Sequence, residues 1–207
     1  MKKAIILAFL LFAISAAHAH DTNQTLCEDD GFTWLDGFKI PIAHWRFDEG
    51  NGSTAFDGAG ANHGAINGAS WTNGSYRSAL QFDDGKYVSL PNDVGYTNQF
   101  SAFAWFKSQG IPKGNYHVIL GGQELEISIP YPSGELRTGV YTSNGRFEDN
   151  HGSGLLDGDW HFIGFTFNGT TKRNYIDGIH VGDDNGITGT LTNSFSNRVV
   201  GRWGSST

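Results

Sequence analysis

Two glutamates, Glu124 and Glu126, stand two residues apart in the run QELEISIP. In a strand, residues i and i+2 point to the same face, so the two carboxylates would project together. Such a pair could divide general acid and base work. Glycoside hydrolysis uses carboxyls roughly 5 to 5.5 Å apart for retention and about 6.5 to 9.5 Å apart for inversion. The next run, ELRTGVY, offers the same acids a different partner. With Leu125, Ile127 and Ile129 turned to the core beside Leu136, Thr138 and Val140, alternation puts Glu124, Glu126 and Ser128 on the outer face with Arg137 and Tyr141. A cross-strand Glu–Arg pair is worth about 0.2 to 1 kcal/mol and involves no catalysis. What then remains is a polar, aromatic-flanked sheet face on which a sugar could lie.

Other chemistries find less support. A lyase could use Tyr141 as its proton-abstracting base, but no accompanying amide and histidine stand in recognisable motif form. There is no nucleophile elbow, no His-Glu-x-x-His pair and no phosphate-cradling glycine loop. Aromatic rings could stack on sugars through their apolar faces. Trp45, Trp105 and Trp160 lie inside strand-like runs and are assigned to the core, and Trp71 opens a strand. Tyr116, Tyr131, Tyr141 and Trp203, together with Arg137, are the candidates for an exposed ligand surface, Tyr131 because it sits in a Pro130-Tyr131-Pro132 turn. The sequence reads as a non-catalytic binder, with Glu124 and Glu126 the catalytic pair only if it is an enzyme.

The elements that must position these residues are strands. Short apolar or alternating runs succeed one another between turn residues: IAHWRF, ALQFDDGKYVSL, FSAFAWFKS, YHVILGG, LEISI, ELRTGVYTS, WHFIGFTF, KRNYIDGIHV and NRVVGRW. None carries a helical repeat over three turns. The pattern predicts an all-β, two-sheet antiparallel sandwich. Gly supplies 29 of 207 residues and Pro only 5, an excess that fits tight turns. Asn168-Gly169 and Asp177-Gly178 each separate two such runs and supply the positive φ values of primed hairpin turns.

The chain opens with MKKAIILAFLLFAISAAHA, which has two lysines, an apolar stretch and a small-x-small end. Residues 1–19 read as a secretory signal peptide and 20–39 as a polar leader, ahead of a domain at 40–207. The expected location is extracellular or at the cell surface, with the periplasm as a further compartment. The apolar stretch is short for a membrane span, which needs about 20 residues. A net charge of −7, more negative still without Lys2 and Lys3, makes nucleic acid a poor partner. Cys27 is the one cysteine. In an exported chain it is either a tolerated thiol or half of a disulfide with another chain or with sequence outside these residues.

In order, HWRFDEGNGS, DGAGANHGAINGASW, ALQFDDGKYVSLP, FSAFAWFKS and DGDWHFIGFTFNGTTKRNYIDGIHVG resemble the laminin G-like, concanavalin A-like jelly-roll family over about four fifths of the chain. The resemblance implies a jelly-roll sandwich, with Trp45, Trp105 and Trp160 in core positions. It implies a glycan or an extracellular protein as ligand. It also implies a structural Ca²⁺ held by Glu49 and Asp57, with backbone carbonyls near residues 58–62. Ca²⁺ takes six to eight oxygens, which carboxylates among glycines can supply. Asp57 and Asn62 could equally be turn formers that bond their own backbone. Glucanases of this fold carry Glu-x-Asp-x-x-Glu, and here the last position is Ile129.

The family's final strand, which follows the one containing RVVGRW and pairs near the first strand, has no counterpart before Thr207. The expectation is an open sheet edge, completed by further sequence, by a strand donated from a partner, or by the leader at 20–39.

Overall fold

The computed structural model describes residues 5–13, 41–83, 85–91, 98–108, 116–122, 124–191 and 198–202, with the backbone alone for 5–13. Of the two expected primed turns, the structure realises the one at Asp177-Gly178; at Asn168-Gly169 only the glycine has a positive φ, 99°, so that connection is not a primed turn. Strands β13 (Trp160–Phe167), β14 (Thr171–Ile176) and β15 (Ile179–Asn185) form a meander. Asp177 and Gly178 between the last two have φ values of 52° and 81°, the left-handed pair a primed turn requires.

This meander continues through β8 (Phe100–Ser108) and β1 (Ile5–Ala13) to β6 (Ser78–Phe82) and β5 (Ser70–Asn73). Strand β2 (Ala43–Trp45) also pairs with β1, so β6 and β2 share one edge of β1 while β8 runs along the other. The expected open edge beside the first strand is therefore occupied, by the backbone of Ile5–Ala13. That stretch lies inside the segment the sequence reads as an export leader. The leader residues 20–39, Cys27 among them, lie outside the described residues.

The second sheet runs β12 (Gly145–His151), β11 (Leu136–Thr142), β10 (Leu125–Pro130), β9 (Tyr116–Gly121), β16 (Val199–Val200), β7 (Tyr87–Ser89), β4 (Gly64–Asn67) and β3 (Thr54–Ala55). Between the sheets lies one apolar core. It contains Trp45, Phe47, Leu80, Phe100, Phe106, Ile119, Leu125, Ile127, Ile129, Val140 and Phe165, all fully buried. Phe100 meets Phe165 edge-on at 5.5 Å, a favoured aromatic geometry. Among the described residues no helix is long and apolar enough to cross a membrane.

Two tryptophans depart from their expected places. In β8 the residues facing the core are Phe100, Ala102, Ala104 and Phe106, which leaves Trp105 on the opposite face, where its ring lies 5.4 Å from Phe162. Trp160 pairs with Lys107 and stands on that outer face as well, half-buried. FSAFAWFKS is apolar at nearly every position, so alternation alone could not choose the inner set.

A charged latch ties the start of β13 to the β14–β15 turn. His161 places Nδ1 2.8 Å from Asp177 Oδ2 and Nε2 3.1 Å from Asp157 Oδ1. Burial works against the imidazolium, but the two carboxylates outweigh it and hold its pKa above the ordinary value. The resulting stability is fully present below about pH 6.5 and is lost as pH rises through the higher folded pKa. Urea midpoints are expected to fall as pH rises above about 6.5 more steeply than in His161→Gln. Identical slopes in the two proteins would show that the latch contributes nothing.

Candidate functional site

The outer face of β10, β11 and β12 carries the densest polar cluster that a ligand could reach. Alternation builds it. Leu125, Ile127 and Ile129 turn inward, as do Leu136, Thr138 and Val140, all fully buried, so Glu126, Ser128, Arg137 and Tyr141 turn outward. Strand β12 adds a third row, with Arg146 opposite Tyr141, Glu148 opposite Gly139 and Asn150 opposite Arg137.

Glu126 is the hub, and it is closed off. Its carboxylate accepts from Ser128 Oγ and lies 3.4 Å from Arg137 Nε, and the Tyr141 hydroxyl is 2.7 Å from Oε2. The side chain is 0 % exposed. Burial raises its pKa, and the Ser128, Tyr141 and Arg137 contacts offset that only in part. The Tyr141 hydroxyl also lies 2.9 Å from Glu148 Oε1 and accepts from Arg146 Nη2 at 3.1 Å. One phenol proton cannot serve two carboxylates, so the second contact calls for a proton on one of them, which fits the raised pKa of Glu126.

Tyr141 itself is pushed far above the ordinary phenol value, by burial first and then by Glu126. The direction of this shift runs against the base role that a lyase would require. At 7 % exposure Tyr141 lies beneath the rim and offers a ligand little surface.

What remains accessible forms a rim. Arg137 pairs with Glu148, reaches Asn150 Oδ1 at 3.4 Å, and lays its guanidinium 5.8 Å from the Tyr116 ring centre. Tyr116 and Tyr131 are each 39 % exposed. Arg146, the most exposed charge of the cluster, pairs with Glu148 and stacks on Tyr141 at 4.6 Å. Tyr116, Arg137 and Tyr141 thus belong to one cluster, whereas Trp203 lies outside the described residues.

Glu124 does not join it. Residing just before β10, it escapes the strand's alternation and accepts from Arg198 Nε at 2.6 Å, with Nη2 at 2.5 Å; both side chains are 1 % exposed. The Glu124–Glu126 acid–base pair expected from i, i+2 spacing is therefore corrected. Glu148 is the carboxylate that stands near Glu126, and it comes from a strand, GRFEDNH, that the sequence reading left as a connection. Arg146, Glu148 and Asn150 alternate with Phe147, Asp149 and His151, a period of two with almost no apolar–polar contrast to reveal it.

The long glycine-rich connection after β2 is organised by Asp57. Its Oδ1 accepts the N–H groups of His44 at 2.8 Å and Ala59 at 2.9 Å, and Oδ2 accepts that of Asn62 at 3.1 Å. Burial works against its charge, and these three donors outweigh it and lower its pKa. Glu49 Oε1 accepts the Phe56 N–H at 2.7 Å, while Oε2 is buried without a hydrogen-bond partner among the described residues. A carboxylate has about four lone-pair sites. Asp57 Oδ2 and Glu49 Oε2 thus retain acceptor capacity that a Ca²⁺ could use, although Asp57 mainly fixes its own loop.

A further cluster closes the flank of the sandwich where β12 and β15 face each other. Lys172, fully buried, pairs with Asp184 Oδ2 at 2.7 Å and donates to Thr138 O at 2.8 Å across the sheets. His151 Nε2 lies 3.1 Å from Asp184 Oδ1 and 3.7 Å from Asp149 Oδ2. Nothing in the sequence reading pointed to this set, which joins residues of two sheets.

Comparison with curated proteins and with solved structures yields no match. A protein-family model, described as the concanavalin A-like lectin/glucanases superfamily, matches residues 82–207, which is more than half of the chain and contains β7 through β16. With its antiparallel sheets packed face to face on one core, the chain belongs to the concanavalin A-like lectin/glucanase superfamily.

Proposed function

We propose that this protein is a secreted or cell-surface, non-catalytic module that holds a glycan on the outer face of β10, β11 and β12, with an extracellular protein ligand as the alternative occupant. The observation that carries this reading is the burial of Glu126. The carboxylate that would have to attack or protonate a sugar is 0 % exposed and engaged by Ser128, Tyr141 and Arg137. The groups a ligand can touch, Tyr116, Tyr131, Arg137, Arg146 and Asn150, bind and stack without bearing a free carboxyl. Export rests on the lysine-led apolar leader at 1–19, and a structural Ca²⁺ at Glu49 and Asp57 on their spare acceptor capacity.

A glycan array run beside a reducing-sugar assay tests the reading. Binding without product is expected. Tyr116→Ala and Tyr131→Ala should each weaken it about tenfold or more, roughly 1.4 kcal/mol. Glu126→Gln should leave affinity within about tenfold. Loss of all binding in Glu126→Gln, with both tyrosine variants unaffected, would move the ligand away from this rim.

A glycan-cleaving enzyme is the second reading, and one observation favours it. Glu126 and Glu148 stand on either side of one hydroxyl, a close spacing of the kind retaining pairs use, and Glu126 has the raised pKa of an acid. Product that vanishes in both Glu126→Gln and Glu148→Gln would establish it over the first.

A further inference from the structure

We propose that Asp149, His151 and Asp184 form a divalent transition-metal site, best suited to zinc, that ties the edge strand of one sheet to the edge strand of the other. Asp149 and His151 come from the inner face of β12, opposite Thr138 and Leu136, and Asp184 from β15, opposite Lys172. One ligand atom from each lies within 4.8 Å of the others.

The distances fit a bound ion. Tetrahedral zinc with bonds of about 2.0 to 2.1 Å to N and O sets its ligand atoms roughly 3.3 Å apart. His151 Nε2 lies 3.1 Å from Asp184 Oδ1 and 3.7 Å from Asp149 Oδ2, values on either side of that spacing. Small shifts would bring these two to it, and the two carboxylates lie within 4.8 Å of each other. The set is one imidazole and two carboxylates, which would leave a fourth position for water.

The histidine is already aimed. A Cβ at Gly182 would stand 2.1 Å from His151 Nδ1 and 2.5 Å from Cε1. The ring therefore lies directly on the β15 backbone, and any side chain there would expel it. With Nδ1 against that backbone, Nε2 is the nitrogen turned to the carboxylates. Asp184 is held likewise, because Lys172, anchored to Thr138 O and Phe147 O, takes Oδ2 and leaves Oδ1 to face His151.

Charge points the same way. Two carboxylates against one ammonium leave the seam one negative charge in excess while His151 is neutral. A dication supplies what Lys172 does not. This site is independent of the glycan reading and separate from Glu49 and Asp57.

Calorimetric titration of the chelator-treated full chain with zinc chloride tests the proposal. One equivalent is expected to bind, and Asp149→Asn, exposed enough to fold normally, should weaken it at least about tenfold. Glu148→Gln, on the other face of β12, should not change it. Cobalt in the same site should give d–d absorption without thiolate charge transfer, since the three ligands are one imidazole and two carboxylates. No heat, or binding that survives intact in Asp149→Asn, would overturn the site and leave a shared proton as the seam's bridge. A calcium response that survives in Asp149→Asn would report Glu49 and Asp57 separately.

Discussion

Replacing Arg198 with methionine is expected to lower stability by about 3 to 5 kcal/mol, because it strands a buried carboxylate. Glu124 and Arg198 are each 1 % exposed, with two guanidinium nitrogens on one Glu124 oxygen. Removing the arginine leaves Glu124 either charged in an apolar setting or forced to take up a proton. Arg198 also directly precedes β16, whose two residues alone join β9 to β7. The loss therefore falls where the second sheet is narrowest. Replacing both partners, with Glu124→Leu added to Arg198→Met, should recover most of the loss, since a buried pair often matches well-packed apolar residues. Denaturant unfolding of the two singles and the double measures this. A loss under about 1 kcal/mol in Arg198→Met would mean that Glu124 reaches solvent or another partner.

Removing residues 1–19 is the second change with a large expected effect. Strand β1 is flanked on one side by β8, from Ile5 to Ala13 with a register shift between Leu7 and Phe9, and on the other by β6 and then β2. Taking it out leaves backbone N–H and C=O groups unpaired on three strands at once and opens the sheet at its middle. The shortened chain should lose its single cooperative unfolding transition and associate. Fusing Ile5–Ala13 after Thr207 through a flexible linker should restore a cooperative monomer by filling the same position. A shortened chain that unfolds cooperatively as a monomer would show that another segment takes the place of β1. The same experiment bears on export, since cleavage of a leader at 1–19 would remove β1 and an exported module would need a segment from outside 1–19 in its place.

Much of the fold was legible because several strands and turns obey simple rules. Alternation in LEISIP and ELRTGVY assigned the inner face of β10 and β11 correctly, and the Asp177-Gly178 turn set the β14–β15 hairpin. Strand β12 was not legible. Its outer face is solvated, and its inner face carries Asp149 and His151 where an ordinary strand would carry apolar residues. Period two is present, but the polar–apolar contrast that normally reveals it is missing. Glu124 eluded the spacing argument because it sits one residue outside the strand and meets Arg198 from far along the chain. Arg137 did find Glu126 as its cross-strand acid. The seam of Lys172, Asp184, Asp149 and His151 joins two sheets, and no local pattern encodes which edges will face each other.

The central place of β1 also sets an order of events during synthesis. Ile5–Ala13 leaves the ribosome first, yet its partners run from Ala43 to Ser108, so it cannot be fully enclosed until about a hundred further residues have emerged. At about 5 to 20 residues per second that is a delay of roughly 5 to 20 s. During it β2 and β6 emerge and can pair with one edge of the segment, while the other edge stays open until β8 is complete. Any machinery that reads a leader on the nascent chain would have that interval in which to act.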